Sequence, residues 1–396
     1  MSVKLIKKDV YSVGVVDWNK RHFHKYEYKT RRGITYNSYL IIDEKITLID
    51  TVSNGFENEF IENINSIIKI SKVDIIVINH TEPDHSGVFK KILTLCPNAK
   101  IYGTEKARLS LIKYYGCIGN WFTVQAGMNL KIGKRTLTFL STPMIHWPDN
   151  MFTYSYYDRI LFSNDGFGQH YATDKLFDIE VDYNILMNEA KNYYANILWP
   201  FNSLIKAKLS ILETFKIDII APSHGLIWYK YIDDIMKKYL FWSSDKCHNK
   251  ITVVYETMWY STEKIAKSIV NGIVETKKTK LNLFDITKND TTDILSSMLD
   301  SKGWVLGSST CNRNILPSML ELLFFLKETD SKNRLSLLFG SYGWSGEAVK
   351  NIENMLLKNI VLYSSVNIVF KPNKKELEEC NKLGKLFAIN ISKLKY

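Results

Sequence analysis

His80-Thr81-Glu82-Pro83-Asp84-His85 puts four metal-capable side chains into one short loop. His80 and Glu82 stand two apart, and Pro83 imposes a turn before Asp84 and His85, so the loop offers donors in several directions. The apolar run Val73 to Asn79 just before it reads as a buried strand. Farther along, Asp165 follows the strand-like Ile160 to Phe162, His224 follows Ile217 to Ala221, and His146 stands alone. Side chains at strand ends are held rigidly while the loops beyond leave room for ions and substrate. Seven nitrogen and oxygen donors without a thiolate suit iron, manganese or zinc, at spacings that suit two adjacent ions. Asp165, isolated between two histidine positions, is the natural bridging carboxylate. His22, His170 and His248 fall outside the set and read as surface histidines.

The chain has 396 residues, 45% of them hydrophobic, enough for two cores. Five scattered cysteines, Cys96, Cys117, Cys247, Cys311 and Cys380, fit neither a disulfide framework nor a four-thiolate cluster. The longest apolar runs, such as Leu322-Leu323-Phe324-Phe325-Leu326, are too short to cross a bilayer, and a cytoplasmic protein is expected. A net charge of +11 comes largely from dispersed lysines, without a basic helix or aromatic-interleaved stripe, so nucleic acid is not expected as a partner. The charge can still steer an anionic cofactor or an acidic electron donor.

Short strands with turns fill the first part: Tyr39 to Ile42, Thr47 to Asp50, Lys100 to Tyr102, and the hairpins Met128 to Ile132 with Arg135 to Leu140 and Thr153 to Tyr157 with Arg159 to Phe162. Helices are predicted over Phe56 to Ile68, Glu105 to Tyr115, Asp182 to Asn196 and Ser203 to Thr214. A polar link near Ser243-Ser244-Asp245-Lys246 precedes a change of pattern. From Ile251 onward strand and helix alternate, giving five parallel strands with crossover helices in a doubly wound sheet. The expected domains are residues 1–249 and 250–396.

Three loops of the second domain follow strands at the same sheet edge, where ligands bind. The first, Thr257-Met258-Trp259-Tyr260-Ser261-Thr262, runs into a helix whose hydroxyls and free backbone N–H groups could receive a phosphate without a compensating lysine. The others are Ser309-Thr310-Cys311-Asn312-Arg313-Asn314 and Ser341-Tyr342-Gly343-Trp344-Ser345-Gly346. Neither a Walker loop nor a dinucleotide glycine fingerprint is present, which argues against ATP and a Rossmann-bound nicotinamide.

The first domain resembles the metallo-β-lactamase-type αβ/βα sandwich, whose hydrolases carry His-x-His-x-Asp-His and bind two zinc ions. Glu82 stands here at the second histidine position, a harder anionic donor that favours iron. With His146, Asp165 and His224, the pattern resembles the flavodiiron protein family, as do Phe23-His24, Gly33 to Leu40, His146-Trp147-Pro148-Asp149 and Tyr193 to Ile197. The resemblance implies that His80, Glu82 and His146 hold one iron, that Asp84, His85 and His224 hold the other, and that Asp165 bridges them. His24 would lie by the diiron pocket as a proton or hydrogen-bond donor. Lys25 replaces a glycine common in the family, a change at the entrance loop.

The second domain resembles the family's flavodoxin-like FMN domain. On that resemblance Thr257, Ser261 and Thr262 take the phosphate. Trp259 and the loop Thr310 to Asn314 border the ring, and Tyr342 to Gly346 close the other side. Met258, Tyr260, Ser309, Ser341 and Trp147 complete the expected flavin contacts. Core packing is the competing role for Trp147, Trp259 and Trp344.

The implied protein is a reductase that passes electrons through FMN to a non-haem diiron centre, reducing dioxygen to water or nitric oxide to nitrous oxide. The family's head-to-tail homodimers set the FMN of one subunit beside the irons of the other, with a dimer of dimers as a larger arrangement. Electrons are expected from a separate donor such as rubredoxin or a reduced flavin-type cofactor. Two competitors are a dizinc hydrolase, which leaves the flavin loops without a task, and a passive electron carrier, which leaves a complete ligand set idle.

Overall fold

The computed structural model describes residues 3–24, 28–244 and 246–394, so Lys25 and Asp245 lie outside the described residues. The chain divides into two compact units, Met1–Tyr194 with Leu204–Lys238, and Ala195–Ser203 with Tyr239–Tyr396. Residues 195–203 and 239–249 thus group with the second unit, ahead of the 249/250 boundary read from the pattern. Trp199 meets Trp304 edge-on, with ring centroids 6.2 Å apart, and Phe241 stacks on His248 at 4.6 Å.

The first unit is a sandwich of a seven-stranded and a five-stranded mixed sheet. Ile75–Ile78, the strand that delivers His80, is wholly buried between parallel neighbours Thr47–Ile49 and Lys100–Gly103. Its β-branched residues fit a pleated surface covered on both faces. Tyr39, Ile41, Ile49, Ile75 and Val77 meet Leu137, Phe139, Met151, Ile160, Phe162 and Ile219 in one core. Every second residue of these strands therefore faces the opposite sheet. Both expected hairpins form, as Asn129–Lys131 with Thr136–Ser141 and Met151–Ser155 with Ile160–Asn164. The strands Lys4–Lys7, Val10–Ser12 and Asn120–Thr123 and the helix Phe89–Leu95 escaped the sequence reading. They are short, and the edge strands among them carry too few buried residues to show a period.

The second unit holds a five-stranded parallel sheet in the order Lys280–Asp285, His248–Glu256, Ser301–Ser309, Arg334–Tyr342, Ile360–Val369. The first strand in sequence thus pairs with both the second and the third. The chain reverses its direction of winding there, and the loops leaving those strand ends open a crevice. The central strand Ser301–Ser309 is buried along its whole length, as a sheet covered by helices on both faces requires.

Helix Ser261–Glu275, which starts at the first of the three loops, lies against the C-terminal helix Lys374–Lys393. The crossing is set by two glycines. A Cβ on Gly272 would stand 1.9 Å from the Asn381 carbonyl oxygen, and one on Gly384 2.1 Å from that of Ile269. In an isolated helix Gly384→Ala would gain about 1 kcal/mol. Here it forces the backbones apart, and the expected outcome in urea unfolding is a loss of ~1–3 kcal/mol from the second unit. A midpoint at or above that of the unaltered protein would contradict the close approach.

Candidate metal centre and flavin cleft

All seven expected donors converge. His80, Glu82, His146 and Asp165 form one group able to hold a metal ion, and Asp84, His85 and His224 form a second. Glu82 Oε2 lies 3.4 Å from His80 Nε2 and 3.2 Å from His146 Nε2. Asp84 Oδ2 lies 3.2 Å from His224 Nε2, and Asp84 Oδ1 3.5 Å from His85 Nε2. Asp165 divides its oxygens between the groups. Oδ2 stands 3.5 Å from His80 Nε2 and 3.4 Å from His146 Nε2, while Oδ1 stands 3.0 Å from His85 Nε2 and 3.5 Å from His224 Nε2.

Each donor arrives on a fixed support. The His224 loop is buckled down by the segment Gly33 to Leu40: Asn37 Nδ2 donates to the Pro222 and Gly225 carbonyls, and Tyr39 Oη donates to that of Pro222 at 2.6 Å. His224 Nδ1 lies 2.7 Å from the Thr35 carbonyl, which can only accept, so Nδ1 carries the proton and Nε2 is left to face the metal pocket. On the His80 side, Asp50 receives both the backbone and side-chain N–H of Asn79 at 2.7 and 3.0 Å. Burial raises the Asp50 carboxyl to about 6 despite the nearby His85. Asp50 and Asn164 adopt left-handed φ values of 56° and 47°, conformations costing on the order of 1 kcal/mol each. Asn164 is held there by side-chain hydrogen bonds with Asn150 at 2.9 Å and Ser223 at 3.0 Å.

Burial alone would disfavour charge throughout this cluster. It works against the His85 and His146 imidazoles, yet the surrounding carboxylates lift both to about 9. Burial likewise opposes ionisation of Asp165, but His85, His146 and His80 hold it well below the carboxylate range. Several donor atoms are buried without a hydrogen-bond partner, among them both Asp84 oxygens, Asp165 Oδ2 and His224 Nε2. Buried acceptors left unpaired at one point, from nitrogen and oxygen donors alone, fit two hard or borderline cations, and uptake would displace the protons that the imidazoles carry.

His24 reaches the same pocket, its Nε2 2.6 Å from Glu82 Oε1 with its side chain 41% exposed. His22 and His248 are exposed, as expected, but His170 is not a surface histidine. It is 1% exposed, between Phe23 and Tyr28, with the Tyr193 and His224 rings edge-on to it. Burial, then the neighbouring His224, hold it well below the usual imidazole range, hence neutral. A single histidine following Gly-Gln in a loop carries no sign of this burial. Trp147 is half-buried and meets the His80 ring edge-on at 5.2 Å.

In the second unit a cleft of about 530 Å³ is lined by Met258, Trp259 and Ser261 from the first loop, Ser309 and Thr310 from the second, and Ser341 to Trp344 from the third. Thr262 Oγ1 sits between Ser309 Oγ and Ser341 Oγ, 2.8 Å from each, so this hydroxyl ties the three loops together. The Thr257 hydroxyl is buried without a partner. That orphan beside the N-terminus of a 15-residue helix fits a phosphate, and the two exposed indoles fit a planar ring. Trp259 and Trp344 are 82% and 88% exposed, which removes core packing as their role.

Two expectations change. Lys264 and Lys371 line the cleft together with Phe370, so it has cations that the loop motif did not reveal. Cys311 and Asn314 exchange backbone hydrogen bonds at 2.9 and 2.8 Å around Asn312 and Arg313, closing a tight turn. Only Ser309 and Thr310 of that loop line the cleft. Gly346 lies against Tyr342, and Tyr260 caps the helix with a φ of 64°.

Residues 34–225 match the family described as ODP family beta lactamase, and residues 253–383 match flavodoxin. A nitric oxide reductase from Moorella thermoacetica is 41% identical over 98% of this chain and 98% of its own length. The chain belongs to the flavodiiron protein family. Among solved structures, the flavodiiron protein from Giardia intestinalis superposes with a TM-score of 0.94 at 34% identity, covering 99% of this chain and 98% of its own. Rubredoxin oxygen:oxidoreductase from the anaerobe Desulfovibrio gigas gives 0.95 at 30% identity, covering 98% of each. A flavodiiron protein is an oxidoreductase with a metallo-β-lactamase-like and a flavodoxin-like domain, and the seven donors and the flavin cleft fall within the matched spans. Among the described residues no helix is long and apolar enough to cross a membrane.

If Asp165 joins the two groups, Asp165→Ala purified from iron-supplied cells is expected to lose iron and gas reduction while keeping FMN. Full iron content with unchanged turnover would refute the bridge.

Proposed function

We propose that this flavodiiron protein takes electrons from a separate donor through FMN to two irons and there reduces dioxygen to water. The observation that carries this reading is the division of Asp165, with one oxygen toward each buried group of donors. When bound, FMN and two irons would together hold four electrons, the number that dioxygen takes in becoming water. The chain's own groups supply position and protons. His80, Glu82 and His146 would hold one iron, and Asp84, His85 and His224 the other. Burial lowers the His24 imidazole, but its hydrogen bond to Glu82 and the charges of Glu82 and Asp84 together outweigh this and raise it, so His24 keeps a proton at higher pH than a free histidine. Being partly exposed, it can recover that proton from solvent and deliver it at the mouth of the pocket. Phe23 packs on His24 at 4.2 Å and helps to keep bulk water from the donors.

In the second domain Thr257, Ser261 and the helix start would receive the FMN phosphate, with Trp259 and Trp344 beside the ring. Large exposed aromatics around one cleft suit a surface that another protein covers. This supports a head-to-tail homodimer, with a dimer of dimers as its larger form. The Desulfovibrio gigas relative's name points to rubredoxin as donor, with a reduced flavin-type cofactor as the alternative. No disulfide joins the cysteines among the described residues, which agrees with a reducing, cytoplasmic setting.

Nitric oxide reduction to nitrous oxide is the second reading, favoured by the 41% identity with a protein named for it. Protein reduced anaerobically and then offered each gas in parallel separates the two. Dioxygen consumption at least about tenfold faster, ~1.4 kcal/mol in barrier, is expected. The reverse ratio would replace the first reading by the second.

A further inference from the structure

The two donor groups are near-equals in their direct ligands. Each has two imidazoles and one carboxylate and shares Asp165. Their supports differ in charge. His80 Nδ1 faces the Asp149 carboxylate, at 3.2 Å from Oδ1 and 3.1 Å from Oδ2. In the other group His224 Nδ1 faces a neutral carbonyl, and His85 Nδ1 is buried without a hydrogen-bond partner.

Asp149 is built into this place. It is 2% exposed, and its Oδ2 also accepts from the Thr81 backbone N–H at 2.8 Å and the Thr81 hydroxyl at 2.7 Å. Its own carbonyl accepts from Thr104 Oγ1 at 3.0 Å. The carboxylate therefore cannot swing away from the imidazole. A buried anion hydrogen-bonded to the far nitrogen of a ligating imidazole fixes Nε2 as the donor and makes it more basic. A carbonyl fixes the tautomer as well but adds no charge.

We infer that Asp149 is a positioning residue that makes the two iron positions unequal, through a carboxylate–His80 pair that strengthens the position held by His80, Glu82 and His146. The inference rests on the diiron reading of the site. Two opposing influences exist: His24, hydrogen-bonded to Glu82, draws electron density from that ligand, and the buried Asp50 carboxyl lies near His85, although its hydrogen bonds go to Asn79 and not to that imidazole. His24 is 41% exposed and screened by water, whereas Asp149 is buried, so the carboxylate prevails. A more basic ligand favours the ferric over the ferrous ion, so the same iron has the lower potential and is the first to give up an electron.

The test uses Asp149→Asn in the full-length protein. The amide oxygen can take the place of Oδ2, keeping the hydrogen bonds from Thr81 and His80 while removing the charge. Iron release to a chelator is followed in the unaltered protein and the variant, together with an electron paramagnetic resonance redox titration of the iron pair and a measurement of bound FMN. In the unaltered protein iron is expected to leave in two phases. In Asp149→Asn the slower phase should quicken by about 10–100-fold, with FMN content unchanged. Each tenfold loss of ferric over ferrous affinity raises that iron's potential by about 59 mV. Release of both irons in a single phase from the unaltered protein would overturn the inference, whatever the variant does. So would a variant that folds, keeps two irons and shows neither faster release nor a changed potential. Failure of the unaltered protein to bind two irons at all would instead remove the diiron reading.

Discussion

One buried carboxylate organises the metal domain. Asp165 is 1% exposed and ionised among imidazoles, and an unpaired charge at such a depth is not sustainable. The architecture answers this from four directions. The strand ends before His80 and His224, the loop carrying His146 and the short turn carrying His85 all bring nitrogen to its two oxygens. Two opposed groups of donors around one bidentate acceptor make a place for two cations rather than one. The Asp50–Asn79 clamp and the Asn37 and Tyr39 bonds on the His224 loop keep those directions fixed.

The seven candidate donors are legible in the sequence because metal chemistry restricts residue type severely and strand ends restrict position. Glu82 was the most informative single letter, since it separates this loop from its zinc-binding counterpart. The supports were less legible. Asp149 is one aspartate in a loop, and nothing in Pro148-Asp149-Asn150 says that it will meet an imidazole 69 positions earlier. The burial of His170 is silent in the sequence for the same reason: it is decided by Phe23, Tyr28 and Tyr193, three distant rings that close around it.

The parallel sheet was more readable than the sandwich. Its longer strands, each with an apolar stretch, alternate with amphipathic helices whose period is sustained for several turns. The sandwich contains strands of three or four residues, below the length at which alternation can be recognised. In the flavin cleft, hydroxyl-rich loops announced themselves by composition, whereas Lys264, Lys371 and Phe370 join it only through the fold. The glycine pair in the helix crossing was likewise silent, because close approach is a property of two helices and not of either sequence.

On the proposed reading Asp165 lies between two irons. Diffraction from crystals of the iron-loaded protein, recorded on either side of the iron absorption edge, tests it directly. Two iron peaks about 3.5–4 Å apart are expected, one beside each oxygen of Asp165. A single peak, or a pair whose signal follows the zinc edge, would contradict it.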